Sequence, residues 1–224
     1  MQILDLLKSF LDFFLHVDKN LFEVVRTYGA LTYGILFMVI FMETGFVVTP
    51  FLPGDSLLFA AGALAAAGSL NIYFLYAALL VAAVVGDTVN YWIGHFIGPK
   101  VFEKDHRFLK REYLYKAQNF YDQHGGKAIV LARFVPIVRT FAPFVAGVGK
   151  MHYRGFLIYN FLGGFLWVSI FLLSGYFFGS LPFIKANFHY VVLVIVAISI
   201  VPIGYEWMRA KTRKQKDIHS DSLK

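Results

Sequence analysis

The sequence predicts an all-α integral membrane protein: four full transmembrane helices plus two re-entrant helical hairpins in an inverted repeat, flanked by amphipathic helices at the membrane interface. Three observations carry that expectation. The chain is 58% hydrophobic and 16% charged, whereas soluble domains average about 45–50% apolar and about 25% charged residues. Residues 56–86 and 156–184 hold no Asp, Glu, Lys or Arg, and each run exceeds the roughly 20 residues a helix needs to cross a bilayer. Two further apolar segments are broken by proline and glycine, a pattern tolerated at membrane depth where the backbone is buried in protein or lines a cavity.

The first element is residues 1–28. Asp5, Lys8, Asp12, His16, Lys19, Glu23 and Arg26 recur at steps of three or four, one polar stripe on an apolar helix that suits the membrane interface. A single membrane domain over residues 29–208 follows. Its first span, 30–48, contains Glu43, and Pro50, Pro53 and Gly54 then break the backbone into a hairpin over about 49–70. The next span, 72–98, carries Asp87. Residues 105–124 read as a second interfacial helix, with Leu109, Tyr113, Ala117 and Tyr121 on one face. The second hairpin, about 127–151, holds Pro136, Pro143, Gly147 and Gly149. Spans at about 156–182 and 188–208 complete the domain, and 209–224 is a basic tail.

The formal charge of +7 is concentrated in residues 100–127 and 209–216, beside apolar spans, so it reads as a positive-inside signal and not as a nucleic-acid surface. Both basic segments share the cytoplasmic side only if 127–151 is re-entrant. The same treatment of 49–70 places the amino terminus there too. An offset of 81 residues carries Ala65 onto Ala146, Gly68 onto Gly149, Gly94 onto Gly175, Phe96 onto Phe177 and Gly98 onto Gly179. The topology runs the two copies in opposite directions, an arrangement found in transporters.

Several chemistries are excluded or unsupported. The chain has no cysteine, so disulfides, thiolate catalysis and Cys-ligated metals are ruled out. The amino terminus lacks the pattern of a cleaved signal peptide. His124-Gly125-Gly126-Lys127 lacks the spacing of a phosphate loop, His95, His106, His152 and His189 lack metal-ligand spacing, and no G-x-S-x-G elbow is present. Neither a metal nor a cofactor is called for, and no enzymatic activity is expected. Trp92, Trp167 and Trp207 read as packing and interface anchors.

The chemistry therefore rests on five ionisable residues inside apolar or hairpin segments: Glu43, Asp55, Asp87, Arg133 and Arg139. Each costs roughly 2.5–3.5 kcal/mol at the centre of a spanning helix, so the set must pair internally, reach water or bind something. The acids belong to the first repeat and the arginines to the second, which predicts contact across the repeat interface. Three acids against two arginines leaves one carboxylate without a cationic partner, a group able to exchange a proton with solvent. Asp87 is also open to a local role, holding backbone or Tyr91. A set of salt bridges that merely staples the hairpins is the plainer reading. Two guanidiniums six residues apart on a proline-broken segment favour a phosphate ligand instead, because each forks onto its oxygens.

The strings Glu43-Thr44-Gly45, Phe51-Leu52-Pro53-Gly54-Asp55-Ser56, Gly86-Asp87 with Tyr91 and Gly94, and Ala132-Arg133-Phe134-Val135-Pro136-Ile137-Val138-Arg139-Thr140 resemble the DedA family of bacterial inner-membrane proteins, also called the SNARE-associated or VTT-domain family. The resemblance covers about residues 20–205. It implies two re-entrant hairpins in an inverted repeat and a lipid translocase, most readily for undecaprenyl phosphate or a related lipid phosphate, with coupling to protons. It also implies the inner membrane, with both termini cytoplasmic. Arg133, Arg139 and the adjoining Thr140 are then the phosphate-binding set, and Glu43, Asp55 and Asp87 the carboxylate and proton set. The expected partners are the lipid phosphate, protons and the bilayer, with monomer or homodimer left open. A proton-coupled antiporter for cations or drugs, a lipid-phosphate phosphatase and a non-transporting scaffold are the competing readings.

Overall fold

The computed structural model describes residues 17–46, 54–102, 125–179, 181–187, 190, 191 and 194. Pro50, Pro53, most of the amino-terminal stripe, the 105–124 helix, the tail and nearly all of the 188–208 span lie outside the described residues. The helices in chain order are α1 (Val17–Tyr28), α2 (Leu31–Gly45), α3 (Gly54–Ala66), α4 (Ile72–Phe102), α5 (Lys127–Ala132), α6 (Pro136–Val148) and α7 (Tyr153–Val168). A π-helical turn, Ser169–Leu173, joins α7 to α8 (Ser174–Phe178), and α9 (Pro182–Ala186) follows. Among the described residues there is no strand.

Two helical stretches, Ile72–Ile97 and Tyr153–Phe178, are long and apolar enough to cross a membrane, at 26 residues each or about 39 Å. Only 33% and 39% of these apolar windows is buried; Tyr73, Phe74, Phe96, Ile158 and Phe177 face outward. An apolar helix with most of its surface turned outward belongs in lipid, because water would not tolerate that area. Helices α3 and α6, at 13 residues each, reach only about 20 Å, short of the roughly 30 Å hydrocarbon core.

The two short helices are exchanged. Helix α3 packs on the π-turn and α8, whereas α6 packs on α4, so the short helix of each predicted repeat rests on the long helix of the other. Glycines make the exchange possible. A Cβ at Gly62 would meet the Leu172 carbonyl and the Tyr176 amide, and one at Gly147 would meet the Tyr91 carbonyl and the His95 amide. Reciprocally, Gly175 abuts Phe59 and Gly94 abuts Phe144. On the long helices these contacts recur at the predicted offset of 81; on the short ones the offset is 85. Gly62→Ala and Gly147→Ala are each expected to lower stability by about 1–3 kcal/mol through backbone overpacking. Gly34→Ala, which opens onto free space, should not. Thermal unfolding of the detergent-solubilised full chain checks this.

Both short helices also end alike. Ser69 N–H donates to the Leu64 carbonyl and Met151 N–H to the Ala146 carbonyl, the six-to-one bond of a Schellman motif. The predicted match of Gly68 to Gly149 is displaced by one residue here. The left-handed position after α3 is Gly68 (φ 81°), but after α6 it is Lys150 (φ 53°).

Of the three residues expected to break the second hairpin, Pro136 stands at the break, after an extended Val135, whereas Pro143 and Gly147 lie within a continuous helix. Pro136 starts α6, where its missing N–H and fixed φ are suited to the first helical position, and the helix runs through Pro143 to Val148. Gly147 is the close-packing site on α4. The break itself falls at residues 133–135, between α5 and α6. It places Arg133 at the end of one helix and Arg139 in the first turns of the next.

Candidate functional site

Two apolar cores, one around Leu36, Leu58, Leu79 and Leu172 and one around Ile129, Ala146 and Phe156, leave out a group of fully or almost fully buried polar side chains. Glu43, Asp55, Asp87, Asn90, Arg133, Arg139, Thr140 and Asn160 form that group. The five ionisable residues expected to meet across the repeats do so.

Arg139 joins α6 to both α2 and α3. Its Nη2 donates to Glu43 Oε1 at 2.5 Å and its Nη1 to Asp55 Oδ1 at 2.7 Å. Glu43 Oε1 also accepts the Gly54 backbone N–H at 3.2 Å, which ties the start of α3 to the end of α2. Any Cβ at position 54 would overlap the Glu43 carboxylate, so glycine is needed here for close approach at the start of α3. Arg133 forms a second centre, with Nη2 donating to Asp87 Oδ2 at 2.5 Å, Asn160 Oδ1 at 2.5 Å and the Ala83 carbonyl at 3.3 Å.

Asp87 is therefore a guanidinium partner and not a local backbone clasp. The Tyr91 hydroxyl donates elsewhere, to the Met151 carbonyl. The expectation of one carboxylate without a cationic partner also fails, since each of the three acids touches an arginine. A guanidinium presents five N–H donors, so Arg139 serves two carboxylates at once. Carboxylates still outnumber guanidiniums by one.

Four contributors escaped sequence reasoning. Trp167, read there as a packing anchor, is fully buried. Its indole N–H donates to Asp55 Oδ1 at 2.7 Å, and its ring lies 4.8 Å from the Arg139 guanidinium carbon and 5.9 Å from that of Arg133. Asn160 accepts from Arg133 and donates to the Val84 carbonyl at 3.0 Å. Gly163 makes room for Arg133, because a Cβ there would sit 3.0 Å from the arginine Cδ. Asn90 donates to the Thr44 and Thr140 carbonyls at 3.1 and 2.7 Å, clamping the chain beside Glu43 to the chain beside Arg139. Thr140 is thus placed at the site. The signal for α7 was present, since Asn160, Gly163, Gly164 and Trp167 share one helical face through steps of three and four.

The network is only partly satisfied. Arg133 Nε and Nη1, Arg139 Nε, Glu43 Oε2, Asp87 Oδ1 and Asn90 Oδ1 are buried without a hydrogen-bond partner among the described residues. Buried polar groups left unpaired cost about 1–3 kcal/mol each, so each of these calls for a physical explanation.

The VTT domain family matches residues 52–177, which takes in Asp55, Asp87, Arg133, Arg139, Asn160 and Trp167 but not Glu43. The chain is similar to the protein DedA of Escherichia coli K12, with 51% identity over 211 residues, 93% of this chain and 96% of that protein. It is 42% identical over 183 residues to an uncharacterized membrane protein of Mycobacterium leprae, covering 80% and 82% of the two chains. It is 34% identical over 196 residues to the inner membrane protein YghB of Escherichia coli K12, covering 86% of each. No solved structure matches.

Proposed function

This chain belongs to the DedA family of VTT-domain membrane proteins, and from that premise we propose that it moves lipid phosphates, undecaprenyl phosphate first among them, between bilayer leaflets. The observation that supports this most directly is the pair of buried arginines with unpaired N–H groups, Nε and Nη1 of Arg133 and Nε of Arg139. Such donors in a low-dielectric setting suit a headgroup with several strong acceptor oxygens. In this reading the protein sits in the bacterial inner membrane with both termini cytoplasmic, and α3 and α6 are the deep arms of two re-entrant hairpins.

When no headgroup is bound, the guanidinium of Arg139 is held by Glu43 and Asp55. An arriving phosphate takes over guanidinium donors from Glu43 or Asp55, and the displaced carboxylate is the group through which headgroup and proton movement are coupled. The polyprenyl tail stays in lipid, along the outward apolar faces of α4 and α7. The excess of one carboxylate favours a second reading, proton-coupled exchange of a cation with the arginines as counter-ions only.

Reconstitution of the full chain in proteoliposomes separates the two. A polyprenyl phosphate, an ordinary phospholipid and a soluble cation are followed across the bilayer with and without a pH gradient. Protein-dependent movement of the lipid phosphate is expected. Arg133→Lys and Arg139→Lys should each slow it by about tenfold or more, since lysine keeps the charge but loses the fork. Undiminished transport in both variants, or cation movement without any lipid phosphate, defeats this proposal.

A further inference from the structure

The feature that the lipid-phosphate reading leaves unused is the indole of Trp167. Asp55 Oδ1 accepts from two donors, Arg139 Nη1 and Trp167 Nε1, both at 2.7 Å. The tryptophan comes from α7, in the second repeat, and reaches across to the first turn of α3. Its ring also lies within cation–π range of both guanidiniums. It is completely enclosed, so water cannot stand in for its N–H.

We propose that Trp167 is a positioning residue that retains Asp55 when a phosphate occupies Arg139. The inference rests on the lipid-phosphate reading and names a residue that makes it energetically workable. When no phosphate is bound, Asp55 Oδ1 accepts from both Arg139 and Trp167. When phosphate oxygens claim Arg139, that oxygen loses its guanidinium, and the indole N–H is a donor it keeps. Deleting the N–H therefore costs more in the loaded state than in the empty one. The difference appears as weaker binding with little change in the maximal rate. A tryptophan that merely filled space would have no such dependence on Asp55. The ring is a separate contribution, which Phe preserves in part.

The test is a binding cycle on the detergent-solubilised full chain, titrating geranyl phosphate calorimetrically into the wild type, Trp167→Phe, Asp55→Asn and the double variant. Trp167→Phe is expected to raise Kd by about tenfold, the scale of one hydrogen bond to a charged group. In the Asp55→Asn background the same change should move Kd less than about twofold, because the charge that needed the donor is gone. Where Phe leaves a packing defect, 3-benzothienylalanine keeps the bicyclic ring without an N–H. It is placed at position 167 in a Trp92→Phe, Trp207→Phe chain and compared with Trp167 in that same chain. An unchanged Kd for the N–H-deficient proteins, or an equal weakening with and without the Asp55 charge, overturns the role of Trp167 alone. Failure of the wild type to bind geranyl phosphate overturns the lipid-phosphate reading and this inference together.

Discussion

Arg139→Ala is expected to destabilise the folded protein by about 3–5 kcal/mol, the range found when one member of a buried ion pair is removed. The size follows from the geometry: Arg139 is bonded to both Glu43 and Asp55, so its loss takes the bonded guanidinium from two buried carboxylates, of which Asp55 keeps the Trp167 N–H. Glu43 is fully buried and keeps only the Gly54 N–H on its bonded oxygen. The helices α2 and α3 would then be pushed apart where Gly54 meets Glu43. Thermal unfolding of the full chain measures the loss, and adding Glu43→Gln to Arg139→Ala should recover part of it by removing one stranded charge. A variant that melts with the wild type would show that Arg139 contributes nothing to holding the repeats together.

Removing Arg133 and Asp87 together is expected to give the opposite pattern, a stable protein without the proposed transport. Arg133→Leu alone leaves Asp87 as a buried charge and should cost about 3–5 kcal/mol, whereas Arg133→Leu with Asp87→Leu should fall within about 1 kcal/mol of the wild type. The pair is 1% exposed on both sides, so apolar side chains of similar volume suit the site. Asn160 keeps its bond to the Val84 carbonyl in that variant. If the stable double variant still moves lipid phosphate at the wild-type rate, the second centre is a staple and not part of the headgroup path. Stability and transport measured on one preparation therefore divide the two roles that a buried ion pair can have.

Much of the site was legible because charge in lipid is costly wherever it occurs. Glu43, Asp55, Asp87, Arg133 and Arg139 stand out against apolar segments in one dimension, and the division of acids and arginines between the repeats already implied that they meet. Their pairing was not legible. Counting partners left one acid over, but the guanidinium fork lets Arg139 hold two carboxylates, a matter of donor geometry and not of number. Asn90 and Asn160 carry no charge and raised no alarm, although each bridges elements that the chain separates by many residues. Trp167 looked like any aromatic in a membrane helix.

Membrane residence, the two long apolar helices and the identity of the buried charges were determined by the sequence alone, because apolar length and the cost of an intramembrane charge depend on local composition. The partners of those charges, the exchange of α3 and α6 between the long helices, and the place of Trp167 between the arginines were decided only by the tertiary structure. Each depends on how closely two helices can cross, and that was set by glycines such as Gly62 and Gly147 against backbone carbonyls far away in the chain. The same proline can start a helix, as Pro136 does, or lie within one, as Pro143 does. Neighbouring helices select between these outcomes by packing, which no residue specifies by its own type.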